Sequence, residues 1–276
     1  MSQKLKYISR IKDEFDTVIC GVNGVIMRGS QIDAAALGTL IQMYRSGKRV
    51  MLSSNLSLRV GELFGLLKSA GVPMNIFCAM ITAGEIAHFY LQNASSLGRC
   101  YYNMTSLPSK MMFGLNYQKT RLLDKAHFVL AETVAEGINV EAQMPVLEQA
   151  LRRGLPLVCV GNNTSVVSDN GQICAGAGAL AEQYALLGGK VLSFGKPDVR
   201  IAAYLTENIA DFQRSRCLVI GDGMATDMRL GYNFKAQTLL LTSGVHQFSA
   251  DLGTQINELQ ANYGLHVDYY AETLQW

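Results

Sequence analysis

The stretch Cys217–Asp227 reads CLVIGDGMATD and decides the fold class. Its first four residues form a short apolar run typical of a buried strand, and the glycines and aspartate that follow indicate a strand-to-helix turn. Asp222 and Asp227 stand on the two sides of this turn. Their carboxylates can converge at the top of a sheet, where a hard cation such as Mg²⁺ prefers oxygen ligands. Either aspartate can instead cap the following helix, and the spacing alone leaves both interpretations open.

The same pattern of a short apolar run followed by an amphipathic helical segment recurs along the chain. The other predicted strands include Thr17–Gly21, Val50–Ser53, Phe128–Ala131, Leu157–Val160 and Thr238–Thr242. This alternation indicates an α/β protein with a mainly parallel sheet. We predict a discontinuous Rossmann-like core domain at residues 1–80 and 189–276, and an inserted α/β cap domain at 81–188. Such a cap would cover the carboxyl ends of the strands, where open α/β sheets bind ligands.

Composition and charge exclude several classes of protein. Apolar residues make up 49% of the chain and charged residues 17%, which allows a sizeable core and argues against disorder. The net charge is +2 without a polybasic block, so we expect no nucleic-acid partner. No apolar run approaches the ~20 residues of a membrane span. The N-terminal segment lacks the apolar region of a signal peptide, so we expect a cytoplasmic protein without a membrane partner.

Polar residues follow three further predicted strands. Lys196 precedes Pro197, and proline suits the first turn of a helix. A lysine at this position can neutralise a phosphoryl group. An ordinary surface lysine would give the same sequence pattern. Ser54 and Asn55 lie just before a helix, where a hydroxyl can help to bind an anion or can simply cap the helix. The first strand enters a turn at Gly21–Gly24.

In this order, the four segments resemble the motifs of the haloacid-dehalogenase-like phosphatases, and their flanks resemble the class IIA, NagD-like branch. That family carries Asp-x-Asp-Gly after its first strand, Ser or Thr before Asn after its second, Lys before Pro, and Gly-Asp-x-x-x-x-Asp. The last three motifs are present as Ser54-Asn55, Lys196-Pro197 and Gly221–Asp227. The resemblance covers nearly the whole chain and implies a haloacid-dehalogenase-type core with an inserted class II cap.

The first motif departs from the family pattern. Aligned on Gly24, the nucleophilic aspartate of the family falls at Gly21 and its acid/base aspartate at Asn23. Gly21 offers neither a nucleophile nor a metal ligand, and Asn23 cannot shuttle a proton. Cys20 should face the core, because successive side chains of a strand point to opposite faces, and Asp16 lies at the other end of the strand. We therefore expect no intact catalytic residue.

The resemblance implies a phosphate site and a weakened Mg²⁺ site. The implied phosphate ligands are Ser54, Asn55, Lys196 and backbone amides of the Gly21–Gly24 turn. The implied metal ligands are Asp222 and Asp227. We expect a catalytically impaired binder of a phosphorylated small molecule or a partner. The alternatives are a slow Mg²⁺-dependent phosphatase that acts on a small phosphate ester, and a structural or assembly protein that forms homo-oligomers through its cap, as class IIA relatives often do.

Overall fold

The computed structural model describes the chain except for residues 1, 30, 95, 106, 107, 134–136, 169, 170, 208, 247, 249 and 250. The strands are β1 Gln3–Lys4, β2 Thr17–Gly21, β3 Met27–Arg28, β4 Gln31–Ile32, β5 Arg49–Ser54, β6 Phe77–Thr82, β7 Cys100–Asn103, β8 Gln118–Thr120, β9 Phe128–Glu132, β10 Leu157–Val160, β11 Ser165–Val167, β12 Ile173–Ala175, β13 Val191–Phe194, β14 Cys217–Gly221, β15 Gln237–Leu241 and β16 Tyr269–Ala271. The helices are α1 Ala34–Arg45, α2 Val60–Ser69, α3 Ala83–Asn93, α4 Val140–Arg152, α5 Ala177–Leu186, α6 Val199–Thr206, α7 Arg229–Phe234 and α8 Leu252–Tyr263.

Two parallel sheets organise the molecule. The larger sheet has seven strands in the order β1-β16-β15-β14-β2-β5-β6, and all of its strand pairs are parallel. The smaller sheet has five parallel strands in the order β13-β10-β9-β7-β8. The short pairs β3–β4 and β11–β12 are antiparallel hairpins. The predicted α/β class with mainly parallel sheets is therefore confirmed.

The central strands are buried on both faces, which explains their uninterrupted apolar sequences. Every residue of β2 and of β14 is buried. On one face of the sheet, Val18, Cys20 and Leu52 pack in one hydrophobic cluster. On the other face, Ile19 and Met51 pack in a second cluster. Because β14, β2 and β5 are neighbours, their carboxyl ends meet at the middle of one edge of the sheet.

The strand β13 is an edge strand of the five-stranded sheet. It pairs with β10 over four residues, from Leu157 opposite Val191 to Val160 opposite Phe194. The backbone hydrogen bonds of residues 191–194 therefore lie in the five-stranded sheet, whereas the sequence predicts the core domain to resume at residue 189. At the other boundary, β6 extends the seven-stranded sheet to Thr82, just beyond the predicted limit at residue 80. The division into core and cap remains a prediction.

The helices of the described residues are all too short or too polar to cross a membrane.

Candidate functional site

Four sequence segments that are distant along the chain meet at the carboxyl edge of the seven-stranded sheet. Gly21 at the end of β2 lies in register with Ser53 of β5, and Cys20 lies opposite Ile220 of β14. The fourth segment follows β13 in the five-stranded sheet and brings Lys196 to the same place. The structure therefore brings together the polar strand ends that the sequence analysis singled out.

A buried ion pair occupies the centre of this site. Lys196 Nζ lies 2.6 Å from Asp227 Oδ1, and the two side chains are only 6% and 5% exposed. Lys196 Nζ also donates to the backbone oxygen of Ser53 at 3.2 Å. A lysine buried to this extent is not an ordinary surface residue, so that alternative is wrong. The ammonium group places a fixed positive charge at the strand ends.

Asp222 lies beside this pair, and two glycines pack directly against its carboxylate. Its Oδ2 atom accepts a hydrogen bond from Val245 N at 3.0 Å. A Cβ atom at Gly24 or Gly244 would lie 2.0 or 2.1 Å from the same oxygen, so both positions need glycine. Burial, and then the charge of Asp227, raises the pKa of Asp222 to about 7.

Neither aspartate caps the helical turn that follows β14. A π-helical segment, Met224–Met228, begins there, and its N-cap residue is Gly223, without a side-chain hydrogen bond. Asp222 instead accepts from the loop after β15, and Asp227 accepts from Lys196 and, at 3.3 Å, from Thr226 Oγ1. The capping interpretation of these carboxylates is therefore wrong, and both belong to the site.

Gly21 faces the ion pair without a side chain. A Cβ atom added there would lie 3.3 Å from Asp227 Oδ1 and 3.3 Å from Val25 Cγ2. Asn23, two residues later, is exposed. Gly24 N, one of the backbone amides expected to bind phosphate, donates instead to Met27 O at 2.8 Å.

Cys20 faces the hydrophobic core, as predicted, and Asp16 is paired with an arginine at the other end of the strand. Cys20 packs in the hydrophobic cluster on the opposite face of the sheet, and burial raises the pKa of its thiol far above the ordinary value. Asp16 pairs with Arg216, whose Nη2 atom lies 2.8 Å from Asp16 Oδ1, before the start of β2. The pKa of Asp16 is lowered by this hydrogen bond.

The structure brings Ser53 rather than Ser54 to the face of the sheet that carries the site. Ser54 Oγ accepts from Leu56 N at 3.2 Å in a local turn. Ser53 is fully buried, and within the described part of the chain its Oγ atom has no hydrogen-bond partner. The strand alternation of β5 could have revealed this, because Ser53 shares the face of Met51 and, through the register, that of Gly21.

The side chain of Asn55 is hydrogen-bonded within the protein, and its role as a phosphate ligand stays a prediction. Its Oδ1 atom accepts from Lys196 N at 2.7 Å. Its Nδ2 atom donates to Asn163 Oδ1 at 2.6 Å and to Lys196 O at 3.3 Å. The side chain of Asn55 therefore holds the backbone of Lys196 in place.

Glu132 is a buried carboxylate that the sequence analysis missed. It ends β9, is 5% exposed, and its Oε1 atom accepts from Ser109 Oγ at 2.9 Å. Burial raises the pKa of Glu132 to about 7, while hydrogen bonds and the charge of Lys119 act in the opposite direction. An acidic residue at the end of the apolar run FVLA was the available signal.

The carboxylates of the site do not by themselves fit a Mg²⁺ centre. Among the residues whose placement is described, no group of three or more His, Cys, Asp or Glu side chains is arranged to hold a metal ion. Asp222 and Asp227 provide two carboxylates, and Lys196 already neutralises one of them. A Mg²⁺ ion with so few protein ligands depends on oxygens of a bound phosphate and on water.

Comparisons with known proteins agree with this geometry. Residues 193–274, which carry Lys196, Asp222 and Asp227, match the HAD-hydrolase-like family model. The chain is 25% identical to the glycerol-3-phosphate phosphatase of Gallus gallus over 94% of this chain and 89% of that protein.

Two solved structures show the same fold over nearly the whole chain. A haloacid-dehalogenase-like hydrolase from Brucella suis superposes with a TM-score of 0.80 and 22% identity, covering 98% of this chain and 99% of the other. NagD from E. coli K-12 superposes with a TM-score of 0.63 and 18% identity, covering 94% and 96% of the two chains.

Proposed function

We propose that this chain, which matches the HAD-hydrolase-like family model over residues 193–274 and has the fold of NagD, binds a phosphorylated small molecule in its site and is impaired in hydrolysing it. The observation that carries the proposal is the fully buried Ser53 hydroxyl, which has no partner among the described residues, beside the buried ammonium of Lys196. A buried hydroxyl without a partner costs free energy, and a phosphate oxygen would supply the missing hydrogen bond.

The impaired chemistry follows from Gly21 and Asn23. If these positions correspond to the nucleophile and the acid/base residue of the family, no group can form the aspartyl phosphate or protonate the leaving group. Loss of a nucleophile costs up to about 10⁶ in kcat, as in a serine protease, and loss of general acid–base catalysis typically costs ~10²–10⁴. Binding and charge stabilisation remain.

Lys196 is the residue that we expect to hold the phosphoryl group by charge. It now pairs with Asp227, so an incoming dianion would share the ammonium with that carboxylate. The absence of a carboxylate at Gly21 removes one source of repulsion from the same place. We therefore expect phosphate affinity to depend on Mg²⁺ less than in an active relative, with any Mg²⁺ at Asp222 and Asp227 held weakly.

Isothermal titration with inorganic phosphate, with Mg²⁺ or with a chelator, tests binding. We expect a measurable affinity that changes little between the two conditions. A wild type that binds no phosphate at all, or one that binds it strictly with Mg²⁺, would refute the proposal.

Hydrolysis of 4-nitrophenyl phosphate tests the chemistry. We expect a silent wild type, and turnover in the double variant Gly21→Asp/Asn23→Asp. Wild-type turnover that disappears in both Lys196→Ala and Asp222→Ala would instead favour the second candidate, a slow phosphatase on a small phosphate ester. That candidate is supported by the way Lys196, Asp222 and Asp227 are held together. A stable oligomer without anion binding would favour an assembly role through the cap.

A further inference from the structure

Two side-chain amides hold the peptide groups of Lys196, and a third amide holds one of those two. Asn55 accepts from Lys196 N and donates to Lys196 O, at 2.7 and 3.3 Å, so its carboxamide bridges both polar groups of one residue. Asn162 Nδ2 donates to the same Lys196 O at 3.1 Å. This clamp fixes the start of the lysine side chain, and hence where its ammonium group can reach.

The third amide belongs to Asn163, which holds Asn55 rather than Lys196. Asn163 Oδ1 accepts the remaining hydrogen of Asn55 Nδ2 at 2.6 Å. With this bond, Asn55 has each of its amide hydrogens and its oxygen engaged, and its orientation is set. Without this bond, one N–H group of the half-buried Asn55 amide has no acceptor, and turning towards water lowers the free energy of the side chain.

The loop that carries Asn163 is anchored on both sides. It follows β10 at Gly161, where a Cβ atom would lie 2.2 Å from Asn55 O, so only glycine allows this close approach. Asn163 O accepts from Gly178 N at 3.0 Å, in the first turn of α5. The loop is therefore fixed to the five-stranded sheet and contacts the end of β5 in the seven-stranded sheet.

We infer that Asn163 is a positioning residue of the anion site, which acts through Asn55 to present Lys196. The inference rests on the proposed function for its effect on anion affinity, but the clamp itself can be measured without a ligand. The contact joins the two sheets, so a shift of the loop after β10 would change how Lys196 is presented to a phosphoryl group.

The test compares Asn163→Leu with Asn163→Asp in the full chain. Leucine removes the acceptor and keeps the branched shape and number of side-chain heavy atoms, whereas aspartate keeps an acceptor oxygen for Asn55 Nδ2. We expect hydrogen exchange of the Lys196 amide to become about tenfold faster in Asn163→Leu, roughly the factor for one lost hydrogen bond, and to stay near the wild-type rate in Asn163→Asp.

Inorganic phosphate is the probe for the consequence at the site. We expect Asn163→Leu to weaken its affinity about five- to tenfold, independently of salt. Any deficit in Asn163→Asp should come from the added charge and should shrink as salt screens it. Unchanged exchange at Lys196 in Asn163→Leu, with strand amides of β10 still protected, would overturn the positioning role. A wild type that binds no phosphate would refute the proposed function, and the exchange rates would still decide the clamp.

Discussion

The substitution Gly21→Asp should make the folded protein less stable in the absence of a divalent cation. A Cβ atom at position 21 meets Asp227 Oδ1 and Val25 Cγ2 at 3.3 Å and Ile220 O at 3.5 Å, so the new side chain fits after shifts of a few tenths of an ångström. The new carboxylate would join Asp222 and Asp227 in a buried space in which Asp227 is paired with Lys196. The matched control is Gly21→Asn, which has the same size and no charge.

The cost of the added charge can be worked from these contacts. At ~4 Å and an effective dielectric constant of ~20, one pair of like charges costs ~4 kcal/mol, and attraction to Lys196 offsets a similar amount. Loss of hydration and the charge of Asp222 remain as costs. Above the pKa of about 7 of Asp222, we expect Gly21→Asp to be about 2 to 4 kcal/mol less stable than Gly21→Asn in a chelator.

Addition of Mg²⁺ should reverse this difference, because three carboxylates then share one cation. At a hundredfold excess over its Kd, a ligand stabilises the folded state by ~2.7 kcal/mol. The measurement is urea unfolding followed by circular dichroism, with Mg²⁺ or with a chelator. Wild type and Gly21→Asn should respond little to Mg²⁺. Equal stability of Gly21→Asp and Gly21→Asn in the chelator, with no response to Mg²⁺, would show that position 21 does not face these carboxylates.

Three further predictions concern the buried polar groups. Lys196→Met should lower the free energy of unfolding by ~3 kcal/mol because it leaves Asp227 unpaired, and it should abolish phosphate binding in titration calorimetry. The control is Lys190→Met at an exposed position. Equal effects of the two substitutions would contradict the reasoning. Ser53→Ala should weaken phosphate binding about tenfold with little loss of stability. Ser54→Ala should lower the free energy of unfolding in urea by ~1 kcal/mol and leave the phosphate affinity unchanged. The reverse pattern would indicate Ser54 as the phosphate ligand. The raised pKa of Glu132 means that the folded state binds its proton more tightly, so stability due to this group is present at low pH and lost as pH rises from 4.5 to about 7. Relative to Glu132→Gln, wild type should lose ~3 kcal/mol across this range in unfolding experiments, and parallel pH profiles would refute the shift.

Much of the fold could be predicted because its strands are local patterns. A strand buried on both faces must be apolar throughout, so the runs at Thr17–Gly21 and Cys217–Ile220 were recognisable without any partner strand. The sequence also shows which polar residues follow the strands, because this depends only on the order of residues. For the same reason it shows that Gly21 and Asn23 stand where the family motif has aspartates.

The tertiary structure decided which of these residues take part in the site. Strand alternation places Ser53 and Ser54 on opposite faces, but only the pairing of β5 with β2 shows that Ser53, whose hydroxyl has no partner among the described residues, lies on the face of Gly21. The clamp on Lys196 joins it to Asn55, 141 residues away. The strand β13 could have joined either sheet on its apolar pattern, and its pairing with β10 settles the matter. Sequence periodicity fixes which residues share a face, but register and long-range hydrogen bonds fix what that face meets.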